Sequence, residues 1–200
     1  MKILIDSIMS NTNVYRLWQA PFAEKKLVPL YRHNDIQSAR RVLDVGCGPG
    51  TNTSHFNHCE YLGLDWSRSY IEYARRRYGR EFIATDVCDY VPPAGIRYDF
   101  ILVNSFFHHI DDENTVRILS KLHTLLDSDG HIHIIDLVMP ETLSVPRLLA
   151  QWDRGQFARP LEKWQQLFSD MFVPLVFEPF PLTCFGVTLW NKVYFKGKSR

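Results

Sequence analysis

What this 200-residue chain lacks narrows its function before any motif is read. It lacks an excess of charge of either sign: 23 Lys and Arg stand against 22 Asp and Glu, a formal net charge of +1. Without a global field to gather phosphate backbones or anionic membrane surface, nucleic acid is not predicted as the main partner. The runs Arg75-Arg76-Arg77 and Lys196 to Arg200 read as solvated faces. Cys47, Cys59, Cys88 and Cys184 show neither a Cys-x-x-Cys pair nor a framework spacing, so they predict free thiols in a reducing, cytoplasmic setting. No signal-peptide run builds before Asp6. The most apolar stretch, Met171 to Trp190, carries the single charge Glu178 but also Pro174, Pro179 and Pro181. Those prolines oppose a membrane helix and predict two strands joined by a Pro-containing loop. Repeats, low-complexity linkers and a phosphate loop ending in Gly-Lys-Ser/Thr are also absent.

What is present is a globular composition, 46% apolar and 22% charged, of a size for one domain and one substantial core. Short apolar runs alternate with helical patterns, the signature of a parallel sheet wrapped by helices. The predicted strands are 41–45, 61–65, 81–86, 98–104 and 131–136, and four of the five end on Asp65, Asp86, Asn104 or Asp136. Asp136 reads as a plain strand terminator. Ser67 or Ser69, the latter with Glu72 as a capping box, starts one helix. Asp111 or Asp112 starts another with the stripe Val116, Leu119, Leu122 and Leu126. A third helix over 160–171 sets Leu161, Trp164, Phe168 and Met171 on one face, and strands near 173–177 and 186–195 close the chain as a hairpin. The predicted organisation is an N-terminal lid over 1–39, a cofactor-binding half over 40–136, and an acceptor-side half with the hairpin over 137–200.

The chemistry concentrates between Asp44 and Asp65. Gly46, Gly48 and Gly50 permit positive φ and leave the main chain open to close ligand approach. A helix beginning at Thr51 or Asn52 is expected to present free amides to an anionic group. Asp65, 19 residues beyond Gly46, stands where a carboxylate accepts from a ribose diol. Glycine spacing separates this loop from the dinucleotide fingerprint G-x-G-x-x-G, since only Pro49 lies between Gly48 and Gly50. Asp44, two positions before Gly46, would repel a pyrophosphate and suits a ligand bearing an ammonium.

The run Val42-Leu43-Asp44-Val45-Gly46-Cys47-Gly48-Pro49-Gly50 resembles the first motif of the class I S-adenosylmethionine-dependent methyltransferases, and Leu62-Gly63-Leu64-Asp65-Trp66-Ser67 resembles the second. Thr85-Asp86-Val87 occupies the place of the third, and Tyr98 to Asn104 followed by Phe106-Phe107-His108-His109-Ile110 is similar to the fourth. The resemblance implies a Rossmann-like, doubly wound α/β fold whose seven-stranded, mostly parallel sheet has an antiparallel last strand and helices on both faces. It implies S-adenosylmethionine as methyl donor, with Asp44, Gly46, Cys47, Gly48 and Gly50 at its methionine end, Asp65 on the ribose and Trp66 against adenine. Asp86 and Val87 would read the adenine edge, Asn104 would stand beside the sulfonium, and Tyr15 of an N-terminal helix could touch the methionine end.

His108 and His109 lie at the mouth of the sheet and are the candidate general bases for a hydroxyl acceptor. A metal set of these two with Asp111 and Asp112 is not preferred, because the acids suit a helix cap better, and His55, His58 and Cys59 show no complete ligand spacing. No metal is therefore assigned. An anionic or aromatic acceptor is expected near Arg147, Arg154, Arg159, Trp152 and Phe157. The amino-group signature Asn/Asp-Pro-Pro-Tyr/Phe is replaced by Asn104-Ser105-Phe106-Phe107, which points to oxygen or carbon of a small molecule. A nicotinamide-dependent oxidoreductase and a non-catalytic module that binds the cofactor are the competing readings.

Overall fold

The computed structural model describes residues 23–153 and 155–200. Tyr15, Trp18 and Arg154 lie outside them. Five strands, β1 (Arg41–Val45), β2 (Glu60–Asp65), β3 (Glu81–Ala84), β4 (Tyr98–Asn104) and β5 (Leu126–Val138), run parallel. The hairpin β6 (Val173–Cys184) and β7 (Val187–Lys198) completes the sheet in the order β3-β2-β1-β4-β5-β7-β6, with β7 antiparallel to both neighbours. The strands are near-continuous apolar runs because helices cover both faces.

Alternation along the strands sorts the core. Leu43, Val45, Leu62, Leu64, Ile101, Val103, Ile132 and Ile134 face one side with Leu119, Leu122, Trp164 and Phe168. Val42, Tyr61, Phe100, Leu102, Ile135 and Tyr194 face the other with Leu27, Leu30, Phe56, Ile71 and Ala74. His133 also takes this second side, stacked on Phe100 at 3.9 Å and bonded through Nδ1 to the Tyr194 hydroxyl at 3.0 Å. Burial pushes its pKa well down, so it is a neutral packing residue among strand aromatics.

The helices before and between the strands are α1 (Ala23–Lys26), α2 (Val28–His33), α3 (Arg68–Tyr78), α4 (Asp112–Leu125), α5 (Val145–Trp152) and α6 (Leu161–Met171). Ser67, rather than the Ser69–Glu72 box, caps α3 by accepting from the Tyr70 amide. Asp111 caps α4, accepting from the Asn114 amide at 2.8 Å. The buried stripe of α4 is Thr115, Ile118, Leu119, Leu122 and Leu125, and Val116 faces outward, because the face set by the cap runs one position earlier than expected. A further correction concerns the prolines: Pro174, Pro179 and Pro181 lie inside β6 rather than in the joining loop. A strand at the sheet edge tolerates residues without an amide hydrogen, and there they discourage further strand addition. The hairpin instead turns at Phe185 and Gly186, both with positive φ. No helix among the described residues is long and apolar enough to cross a membrane, and all four cysteines are unpaired thiols.

Arg159, expected as an acceptor grip, is a buried structural tie. Its guanidinium donates to Asp112 at 2.7 Å, to the carbonyls of Phe107, Phe157 and Ile110, and to the Thr115 hydroxyl, while lying 4.6 Å above the Trp164 ring. It thereby fastens the loop after β4 to α4 and α6. A lysine cannot reproduce that fork, so Arg159→Lys should lower unfolding free energy by about 2 to 4 kcal/mol. Urea denaturation reads this directly, and a midpoint equal to that of the wild type would contradict the structural role.

Candidate active site

The chain runs outward from β1 to β2 and β3, then returns across to β4, so the connections after β1 and β4 leave in opposite directions. The crevice between them is where such sheets bind ligands. Register brings the parts together: Val45 pairs with Leu64 and with Val103, and Asn104 pairs with Ile135. The Gly46 loop, Asp65, Ser105 and Asp136 therefore meet at one rim.

Gly46, Gly48 and Gly50 all adopt positive φ. A Cβ on Gly46 would meet the Phe106 ring at 2.3 Å, whereas one on Gly48 would meet nothing within 4 Å. The loop is thus packed from one side and open on the other. Its Gly48 amide donates to Asp65 at 2.9 Å, and the Ser67 amide donates to the other Asp65 oxygen at 2.8 Å. These bonds aim the carboxylate, whose pKa burial raises against their pull. The helix expected from Thr51 or Asn52 is absent; a single 3₁₀ turn over Thr53–Phe56 follows instead. An amide-rich helix start is therefore not what the loop presents.

A chain of polar contacts underlies the loop. Buried Asp44 accepts from the Tyr61 hydroxyl at 2.7 Å and from the Asn52 amide, and burial pushes its pKa up to about 7 against both donors. Asn104 donates to Asn52 at 3.1 Å, and Ser105 donates to Asn104 at 3.1 Å. Lys192 of β7 donates to the Ser105 hydroxyl at 3.0 Å. Ser105 has φ 58, a left-handed conformation that costs a non-glycine residue about 1–2 kcal/mol. It is held there by its own amide, which donates to Ile135 at 2.7 Å.

One cavity of about 1060 Å³ opens above this network. Gly46, Gly48, Asp65, Trp66, Asp86 and Val87 line one half. Ser105, Phe106, His108, His109, Asp153 and Lys192, with Lys26, line the other. Of the expected contacts, Asp44, Cys47, Gly50 and Asn104 do not reach the wall. Asp44 and Cys47 are buried beneath the loop, a Cβ on Gly50 would face Tyr78 and Thr53, and Asn104 is engaged with Asn52 and Ser105. Trp66 is 84% exposed, a free indole face at the cavity edge. Asp86 lies past the end of β3, where one oxygen accepts from the Cys88 amide at 2.8 Å and fixes the turn.

The candidate bases differ from expectation. His108 is buried with Nδ1 2.6 Å from Asp136 and Nε2 3.4 Å from Asp153. Burial disfavours its charged form, but Asp136 and then Asp153 outweigh burial and raise its pKa, so the ring is held as an imidazolium. Its two carboxylates are correspondingly held below their ordinary range by that charge, against burial. With both nitrogens engaged, His108 lacks the free lone pair a general base needs. His109 is exposed and stands beside it, ring centroids 4.1 Å apart.

Asp136 was readable only as a strand end; in the fold it lies within β5 and also accepts from the amides of Phe107 and Leu137, each at 2.7 Å. Nothing local in the sequence marks Asp153. Lys192 does carry a sequence signal, a lone ammonium in the apolar strand around Trp190, Val193, Tyr194 and Phe195. The acids of the disfavoured metal set are elsewhere: Asp111 caps α4 and Asp112 pairs with Arg159 and Lys163. His108, His109 and Asp153 do bring ligand atoms within 4.8 Å of one another. The ammonium groups of Lys26 and Lys192 on the same cavity oppose a dication there. Arg147 donates to the carbonyls of Pro140 and Glu141, so it too holds its own loop. Trp152 lines the cavity.

A family model described as a methyltransferase domain matches residues 42–130. Trans-aconitate 2-methyltransferase of Rhodopseudomonas palustris (strain BisB18) is 24% identical over 168 residues, covering 80% of this chain and 63% of that protein. Its namesake from Methylobacterium radiotolerans is 31% identical over 116 residues, covering 56% and 42%. The chain thus spans less than two thirds of the length of these relatives. Among solved structures, the N-methyltransferase NodS from Bradyrhizobium japonicum WM9 with S-adenosyl-L-homocysteine superimposes with a TM-score of 0.75 at 15% identity, over 99% of this chain and 97% of that one. Mitomycin 7-O-methyltransferase does so with a TM-score of 0.72 at 17% identity, over 94% and 57%. At those identities the structures establish the fold, a seven-stranded sheet with an antiparallel terminal hairpin. Residues 42–130, which span the glycine loop, Asp65, Asp86 and the strand to Asn104, thus match a methyltransferase domain, and the relatives and the shared fold together support a class I S-adenosylmethionine-dependent methyltransferase.

Proposed function

We propose that the protein transfers a methyl group from S-adenosylmethionine to an oxygen of a small carboxylic acid. The observation that carries this reading is one continuous cavity whose two chemically different sides meet at Ser105 and Phe106. Its volume has room for a nucleoside-sized donor and a small acceptor together.

In this reading Gly46 and Gly48 lay open main chain against the methionine end, and Asp65, braced by the Gly48 and Ser67 amides, accepts from the ribose hydroxyls. Trp66 stacks on adenine, and Asp86 with the Val87 amide reads its edge. Asp44, Asn52 and Asn104 act one layer below, keeping the loop and the end of β4 in fixed relation. S-adenosylmethionine, when bound, supplies an electrophilic methyl group on a sulfonium. The protein's part is then to orient the acceptor oxygen in line and to exclude water. A carboxylate is already ionised at neutral pH, so this acceptor needs no base. That agrees with an imidazolium at His108, which serves to fix Asp153 and the segment after α5 against the cavity. The relatives named for trans-aconitate, and one named for myricetin 3'/5'-O-methylation, support oxygen as the acceptor atom. No feature of the cavity favours the nicotinamide-dependent or the non-catalytic reading over this one.

Titration calorimetry with S-adenosylhomocysteine tests the donor seat. Asp65→Ala should weaken binding at least about tenfold. Gly48→Ala should do likewise: its Cβ meets no protein atom within 4 Å, so the fold bears only about 1–2 kcal/mol of strain from the positive φ at that position. Unchanged affinity in both would remove the ligand from this loop. For the acceptor, radiolabelled S-adenosylmethionine should pass its methyl group to trans-aconitate or another small carboxylic acid, giving a base-labile ester. Label transfer only to amines would sink the oxygen assignment.

A further inference from the structure

Lys192 is 5% exposed, yet its ammonium opens on the cavity. A charge removed from water is ordinarily paired. Here its hydrogen bond goes to the neutral Ser105 hydroxyl, and no carboxylate of the described residues lies within the 4.0 Å of an ion pair. The two nearby acids are otherwise engaged. Asp136 takes the His108 Nδ1 and the amides of Phe107 and Leu137, and Asp153 takes the His108 Nε2 and the Gly155 amide. Lys26 opens on the same cavity, and burial followed by the charge of Lys192 brings its pKa down to about 7. Two lysine side chains therefore share this part of the cavity with Ser105, His108, His109 and Asp153, and Leu137, Leu149, Leu182 and Trp190 add apolar surface beside them. Among the described residues no arginine lines the cavity, and the point charges of lysines beside apolar surface suit a carboxylate on a carbon skeleton.

We infer that Lys192, with Lys26 beside it, anchors a carboxylate of the methyl acceptor that does not itself react. An ammonium bonded to the attacking oxygen would withdraw electron density from it, so the anchored group and the methylated group are different. The acceptor is accordingly an acid with at least two carboxylates when methylation occurs at carboxylate oxygen. This rests on the reading of the Ser105–Lys192 half as the acceptor seat.

Calorimetry with citrate, phthalate and the uncharged trimethyl citrate, each with and without saturating S-adenosylhomocysteine, separates the two claims. At least one acid should bind the wild-type protein and the ester should not. Lys192→Met should weaken acid binding about ten- to a hundredfold, and Lys192→Arg should retain more of it. S-adenosylhomocysteine affinity should be the same in Lys192→Met as in wild type. Without acid, Lys192→Met should melt at or above the wild-type temperature, because a buried unpaired charge is gone; with acid, only the wild type should be stabilised. Equal acid binding by Lys192→Met, equal binding of the ester, or no binding of either acid to the wild type overturns the anchor. Failure of S-adenosylhomocysteine to bind the wild type overturns the methyltransferase reading instead, and the acid titrations without it still report on Lys192.

Discussion

Parallel strands oblige the chain to travel back across the sheet after each one, and the direction of travel changes between β1 and β4. No connection can roof the gap left at their carboxyl ends. Everything functional in this protein hangs on that gap. The glycine loop leaves β1 on one side of it, the Ser105 turn leaves β4 on the other, and the register of β2 and β5 sets Asp65 and Asp136 at its margins. The apolar faces on both sides of the sheet hold these strand ends in place, so packing tens of residues deep determines a geometry read over a few ångströms.

Below the cavity runs a line of hydrogen bonds from Tyr61 through Asp44, Asn52, Asn104 and Ser105 to Lys192. It joins the glycine-loop side of the cavity to the Lys192 side across five positions of the sheet, from β2 to β7. Each member is satisfied by the next, which makes the rim stiff and gives the strained turn at Ser105 its support. The line ends on a cation that the described protein does not neutralise within ion-pair distance. At the Lys192 end, His108 between two carboxylates, beside Lys192 and Lys26, makes a polar wall next to apolar surface.

The glycine loop and the fold were legible in the sequence because they rest on local rules. Glycines that need positive φ, short apolar strands, and a carboxylate at a strand tip 19 residues on are all visible within a few dozen residues. Caps were legible as types and ambiguous by position: Ser67 and Ser69 offer the same hydroxyl, and only the entry angle of α3 chooses between them. Prolines in an apolar run spoke against a helix, but whether they sit in a loop or along an edge depends on which strand ends the sheet.

Sequence alone therefore determined the α/β class, the glycine loop with its ribose-spaced acid, and the exclusion of a membrane helix and of a phosphate loop. Tertiary structure decided what each polar side chain faces. It moved Asp44 below the loop, turned Arg159 into a tie, locked His108 between Asp136 and Asp153, and brought Lys26 and Lys192 to one wall. The reason is one of range. Backbone preference is set by neighbours in the chain, whereas charge pairing and burial are set by groups as far apart as Ser105 and Lys192, 87 residues along the chain.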